Sequence, residues 1–262
     1  MKKLYKTLAL SLVTSTMFFS SCKEEPKEKV IVNNPPTAEQ ASFTLDFNPQ
    51  FNGEKIEYNK MKYVSSSNDT LNFTRLRFIL SKIQLVKENN EIVELDTFAL
   101  LAFDLNRNKL GTNQLIPNGN YKEIRFRIGL DSNLNHGDPN NWPSGHPLDP
   151  LVNHMHWTWA SGYIFSVVEG YFMNNGNDLS IFSYHMANME FVRDITVTPN
   201  QPIVIDGTQK TVNINVNMEN YFHSPNKYSL KLNGPISHSS SQADRDRMML
   251  LNNNLGSVFE IK

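Results

Sequence analysis

Cysteine is nearly missing from this chain, with Cys22 alone among 262 residues. An intramolecular disulfide is therefore excluded, and stability has to come from the core or from a bound metal. Charge of one sign is missing too. Lys and Arg number 25 against 26 Asp and Glu, with no long basic run, so nucleic acid is a poor partner. No His-Glu-x-x-His, no Gly-x-Ser-x-Gly and no Gly-rich phosphate loop after a strand occurs. These gaps argue against a zincin, a serine hydrolase of that kind and a nucleotide enzyme. There is no internal repeat and no alternation of strand with long helix, which argues against a parallel α/β sheet. The length suits one large domain or two small ones.

The first residues read as a targeting segment. Lys2, Lys3 and Lys6 precede an apolar run from Leu8 to Phe19 that is short for a bilayer span. Ser20 and Ser21 then lead into Cys22, an arrangement that resembles a bacterial lipobox. Cleavage there makes residues 1–21 a lipoprotein signal peptide and leaves Cys22 as a lipidated N-terminus. The plainer alternative is a secretory signal with a chance cysteine. Lys23-Glu24-Glu25 resembles the surface-export signal of Bacteroidota lipoproteins, or simply supplies tether charges. Residues 22–40, with Pro26, Pro35 and Pro36, read as a flexible tether. The expected address is the outer membrane, exposed at the cell surface.

From residue 41 to 262 the pattern is a single all-β domain. Phe43, Leu45 and Phe47 alternate with polar neighbours, as do Ile124, Phe126, Ile128 and Leu130, and Val212, Ile214, Val216 and Met218. A period of two marks strands with one face buried. Further strands are expected over Phe73–Val86, Glu91–Leu95, Gly162–Phe172, Leu179–His185, Phe191–Thr198 and Tyr228–Leu232. Breakers such as Pro117-Asn118-Gly119-Asn120 separate them. The fold class expected is an antiparallel β-sandwich with long loop insertions. Ser240 or Ser241 caps a short C-terminal helix, with Asp244 and Asp246 in its first turn and Met248 and Leu251 facing inward.

One long loop, Asp131 to Asn153, carries His136, Trp142 and His146 and runs straight into His154-Met155-His156-Trp157-Thr158-Trp159. A loop of that size generally has a function, since ordering it costs entropy. If the segment after it is extended, His154 and His156 project to one side of a strand. With His185 on a later strand they make a candidate metal site, with Met155 or Met186 as weak extra contacts. Imidazole and thioether suit copper. The plain alternative is histidines that hydrogen-bond to loop backbone. Zinc competes, with Glu169 or Glu190 as a nearby carboxylate, though neither has the spacing of a zincin. Asp131, Asp138 and Asp149 lack EF-hand spacing and read as solvated loop carboxylates. Trp142, Trp157 and Trp159 are open to three readings: packing, a sugar-stacking platform, or a redox-active residue beside a metal.

The run Met155-His156-Trp157-Thr158-Trp159-Ala160-Ser161-Gly162-Tyr163, ending in Glu169-Gly170, resembles the signature of the MbnP-like copper-binding proteins. Gly129-Leu130-Asp131, Asn135-His136, Asp138-Pro139 and Pro147-Leu148 look like that family's preceding loop, and Tyr184-His185-Met186 like its downstream histidine segment. The resemblance covers roughly residues 41 to 262. It implies a β-sandwich that binds copper through two histidines and a kynurenine. A di-haem peroxidase-like partner makes the kynurenine from tryptophan, here Trp157 or Trp159. The expectation is a lipid-anchored Bacteroidota copper binder, not an enzyme, working in metal acquisition or homeostasis beside an outer-membrane transporter. The rival expectation is a glycan- or peptide-binding lipoprotein using Trp142, Trp157 and Tyr163 as a platform.

Overall fold

In the computed structural model, which describes residues 39–95, 98–112, 114–157, 162–174, 178–238 and 241–261, the alternating segments are strands with their apolar positions turned inward. The leader, Cys22, nearly all of the tether and Trp159 lie outside the described residues. The principal strands are β1 (Phe43–Phe51), β2 (Arg75–Lys87), β3 (Gly119–Ile128), β4 (Gly162–Met173), β5 (Leu179–Ala187), β6 (Arg193–Val197) and β7 (Lys210–Asn217). They divide between a twelve-stranded and a five-stranded sheet. The large sheet runs β6-β3-β2-β4-β5 and then Ile236–His238, while the small one sets Phe259–Glu260 beside β7 and β7 beside β1.

The two sheets face each other through aromatic rings. Phe47 of β1 meets Phe126 of β3 edge-on at 6.0 Å, and Phe259 meets Phe78 of β2 at 5.9 Å and Phe126 at 5.1 Å. Edge-to-face pairs of this kind add about 0.5–1.5 kcal/mol each beyond the area they bury. The chain is thus a β-sandwich, mostly antiparallel. Among the described residues two pairings are parallel: β7 along β1, with Phe47 opposite Ile214, and Ile236–His238 along β5.

Helix α1 (Gln242–Asn254) starts at Ser241, whose hydroxyl accepts from the Asp244 N–H at 3.1 Å, and it buries Met248 and Leu251. This matches the capping pattern in the sequence. Two expectations fail. Tyr228–Leu232 is not a strand: the buried Asp69 carboxylate accepts from Leu230 N at 2.7 Å, and Ser229 caps a short helix over Leu230–Asn233. A cap donated from far along the chain overrides a locally apolar pattern. The long loop is also not structureless. It contains short helices at Ser132–Asn135 and Pro150–Asn153 and a 3-10 turn at Pro139–Asn141.

Candidate metal centre

The long loop ends in a turn pinned from beneath by the large sheet. Asp149 accepts from Leu151 N at 2.9 Å and from Gly145 N at 3.2 Å, and Pro150 opens the helix, where a missing N–H costs nothing. Asn153, fully buried, donates to Pro147 O at 3.0 Å and accepts from Met155 N at 2.7 Å. Two arginines of β2 reach up to it. Arg77 donates to Asn153 O at 3.1 Å and Arg75 to His154 O at 2.9 Å. Both carbonyls sit at the end of a helix, where unpaired acceptors attract cations.

His154 ends that helix in the left-handed region, at φ 51°. The sequence expectation of two histidines side by side on one strand is therefore corrected. Only His156 is in the strand, His156–Trp157, which pairs with Tyr163 and Gly162 of β4. His154 is exposed and His156 half-buried, its ring edge-on to Tyr163 at 4.8 Å. Burial pushes the His156 imidazole below its ordinary value, which favours the neutral ring that ligates metals.

His185 belongs to the same neighbourhood. Val167 faces His185 and Glu169 faces Ser183 in the β4–β5 register, so Glu169 and His185 are diagonal neighbours on one face. The His185 Nε2 is 2.5 Å from Glu169 Oε1 and 3.2 Å from Ser183 Oγ. Glu169 also lies 3.6 Å from Arg75, the arginine that holds the His154 carbonyl. The hydrogen bond to His185 lowers the Glu169 carboxyl, against the opposing pull of burial. Trp157 closes the group, its ring 6.3 Å from that of His185 at 49°.

Trp157 and His185 are thus brought together, while the ring of His156, the preceding residue of the strand, lies against Tyr163. His154 joins through its backbone. Among the described residues no group of three or more His, Cys, Asp or Glu side chains stands ready to hold a metal. Met155 and Met186 are fully buried. Asp138 and Asp149 serve as caps of the loop's short turns, and Asp131 pairs with Lys82 at 3.0 Å and Arg127 at 2.6 Å. Glu169, one carboxylate considered for zinc, is committed to His185 and Arg75. The aromatic platform is not assembled either. Tyr163 is fully buried, its hydroxyl donating to Leu148 O at 2.7 Å, and Trp142 stacks on His146 at 4.3 Å.

Sequence reasoning missed Arg75 and Arg77, while Asn135, singled out in the loop that resembles the family's, has a side-chain oxygen that accepts from Tyr163 N at 2.8 Å. The signal for the arginines was present. Charges rarely sit in a strand as apolar as Leu76 to Leu80 unless something pairs them.

The described residues thus form a β-sandwich that carries an imidazole, an indole and a carboxylate beside a capped loop. The sequence profile of the MbnP family matches residues 40–241, and the chain belongs to that family. MbnP from Methylosinus trichosporium shares the fold with a TM-score of 0.51 and 13% identity, over 78% of this chain and 82% of that one. No curated protein matches.

Proposed function

We propose that the protein is a lipid-anchored copper-binding protein, facing the periplasm or the cell exterior and serving metal acquisition or homeostasis. The observation that carries this is the meeting of Trp157 with a His185 ring held by Glu169, in a chain of the MbnP family. Metal-binding histidines are typically oriented by such a carboxylate, which fixes the tautomer and raises the basicity of the ligand. The donor set fits copper, since imidazole nitrogens suit it and burial favours the neutral form of His156.

Copper is cargo here. His156 and His185 hold it, His154 is the third candidate, and Trp157 or Trp159 contributes as an indole-derived kynurenine. In this reading a di-haem peroxidase-like enzyme oxidises the tryptophan, and an outer-membrane transporter is a second partner. Cys22 carries the lipid. The chain itself catalyses no reaction.

Titration of purified protein with Cu(I) and Cu(II) against a competing chelator tests the site. Saturable uptake that His185→Ala and His156→Ala each weaken supports it. Uptake that neither substitution changes places the metal elsewhere and removes the reading.

A further inference from the structure

The large sheet has an open edge at the start of β5. Ile236–His238 runs along β5 only from Ser183 to His185, so among the described residues no strand lies beside Leu179 to Phe182 on that side. Two hydrogen bonds show which backbone groups face the gap. Asn174 N donates to Asp178 O at 2.8 Å, which turns Asp178, and with it Ser180 and Phe182, towards β4. Ser183 N donates to Pro235 O at 2.9 Å on the opposite side, and Ile181 and Leu179 turn the same way as Ser183. The N–H and C=O of Leu179 and Ile181 therefore point out of the sheet.

The side chains of the same two residues are exposed, Leu179 at 60% and Ile181 at 53%. They stand on the outer face of the sheet, opposite the half-buried Met173 and Tyr171 of β4. Sheet edges are ordinarily guarded by a charge, a proline or a bulge. The other edge of this sheet follows that rule: β6 opens with Arg193 and Asp194, and Asp194 is paired to Arg127 at 2.7 Å. Leu179-Ser180-Ile181-Phe182 carries no charge and no proline, and the β4–β5 register runs through it without a shift.

We propose that this edge pairs with the same edge of a second copy of this chain. One antiparallel register engages both outward positions: Leu179 opposite the partner's Ile181, Ile181 opposite the partner's Leu179, and Ser180 on the two-fold axis. Each of the two pairs exchanges two backbone hydrogen bonds, and the exposed leucine and isoleucine cover each other on the outer face. A two-fold contact needs a self-complementary surface, and an uncharged segment sets no like charges opposite one another. That favours a copy of the chain over a charged partner. The ladder is short beside a standard interface, so association in the micromolar range is expected. His185 lies beyond Ser183, where Ile236–His238 already covers the edge, so the pairing does not depend on copper.

Sedimentation velocity of the full-length protein over a concentration series tests it. A dimer with Kd of about 100 µM or tighter is expected. Ile181→Pro removes an N–H that points only into the gap and leaves the ladder with β4 intact, and it should weaken the dimer at least about tenfold. Leu179→Lys, at an exposed side chain, should do the same without disturbing the fold. Val204→Lys, at an exposed position on another strand, should leave the dimer unchanged. In a Cys22→Ser background, Ser180→Cys should cross-link two chains on diamide oxidation, because facing residues at that kind of position lie about 4.5 Å apart between Cα atoms. Thr196→Cys, on β6, should not cross-link. A parent protein that stays monomeric at about 300 µM overturns the proposal. So does a dimer indifferent to both Ile181→Pro and Leu179→Lys, or one that Ser180→Cys fails to cross-link.

Discussion

Arg77 is the residue on which the turn before His156 most depends. It is 7% exposed near the start of β2 and forks onto Asp104, from Nε at 3.0 Å and from Nη2 at 2.7 Å, while Nη1 donates to Asn153 O at 3.1 Å. Arg77→Met keeps much of the volume and removes the charge. It leaves the Asp104 carboxylate, whose side chain is only 12% exposed, without its cation, and leaves the Asn153 carbonyl unpaired. Removing one partner of a buried pair costs about 3–5 kcal/mol. For a domain of this size that lowers Tm by roughly 6–20 °C. Thermal and urea unfolding measure the loss, and hydrogen exchange at Val152 to Met155 locates it. The double variant Arg77→Met with Asp104→Leu should recover most of the stability but not the protection of the turn, because no stranded carboxylate remains while Asn153 O stays unpaired. A single variant that loses less than about 1 kcal/mol would refute the reasoning.

Three further outcomes are expected. Gly170→Ala places a Cβ 2.0 Å from Asn72 O and 2.6 Å from the Phe182 ring, so it should cost about 3 kcal/mol or more in urea unfolding. Burial pushes the Tyr163 phenol up to about 12 from an ordinary 10.0, so its contribution is complete below the lower value and is lost as pH rises through the upper one. Stability measured across that window should fall less steeply in Tyr163→Phe than in the parent. Glu169→Gln keeps the shape but removes the charge beside His185 and Arg75, and copper affinity should drop about 10- to 100-fold in competition titrations while the fold survives.

Much of the sandwich was legible because its strands obey a local period. Phe43, Leu45 and Phe47, and Val212, Ile214 and Val216, are buried as their alternation requires. Ser241 and Asp244 likewise announce α1 within one turn of chain. What the sequence hid depends on distant partners. The parallel pairing of β7 with β1 joins segments from opposite ends of the domain. The helix at Leu230 is set by Asp69, and His154 is turned out of line by a helix end that Arg75 and Arg77 stabilise from β2. The histidine spacing therefore suggested a strand pair that the backbone does not make. The aromatic and carboxylate neighbours of His185 lie on other strands, and only the register of β4 against β5 brings Glu169 to it.

The central claim is that Trp157, His156 and His185 form part of a copper site. The most direct measurement is metal content together with intact mass on protein purified from its native host without chelator. About one copper per chain, lost in His185→Ala and His156→Ala, together with the mass gain of a tryptophan oxidised to kynurenine, is the predicted result. Protein that carries no copper from its host and takes up neither Cu(I) nor Cu(II) on titration contradicts the account.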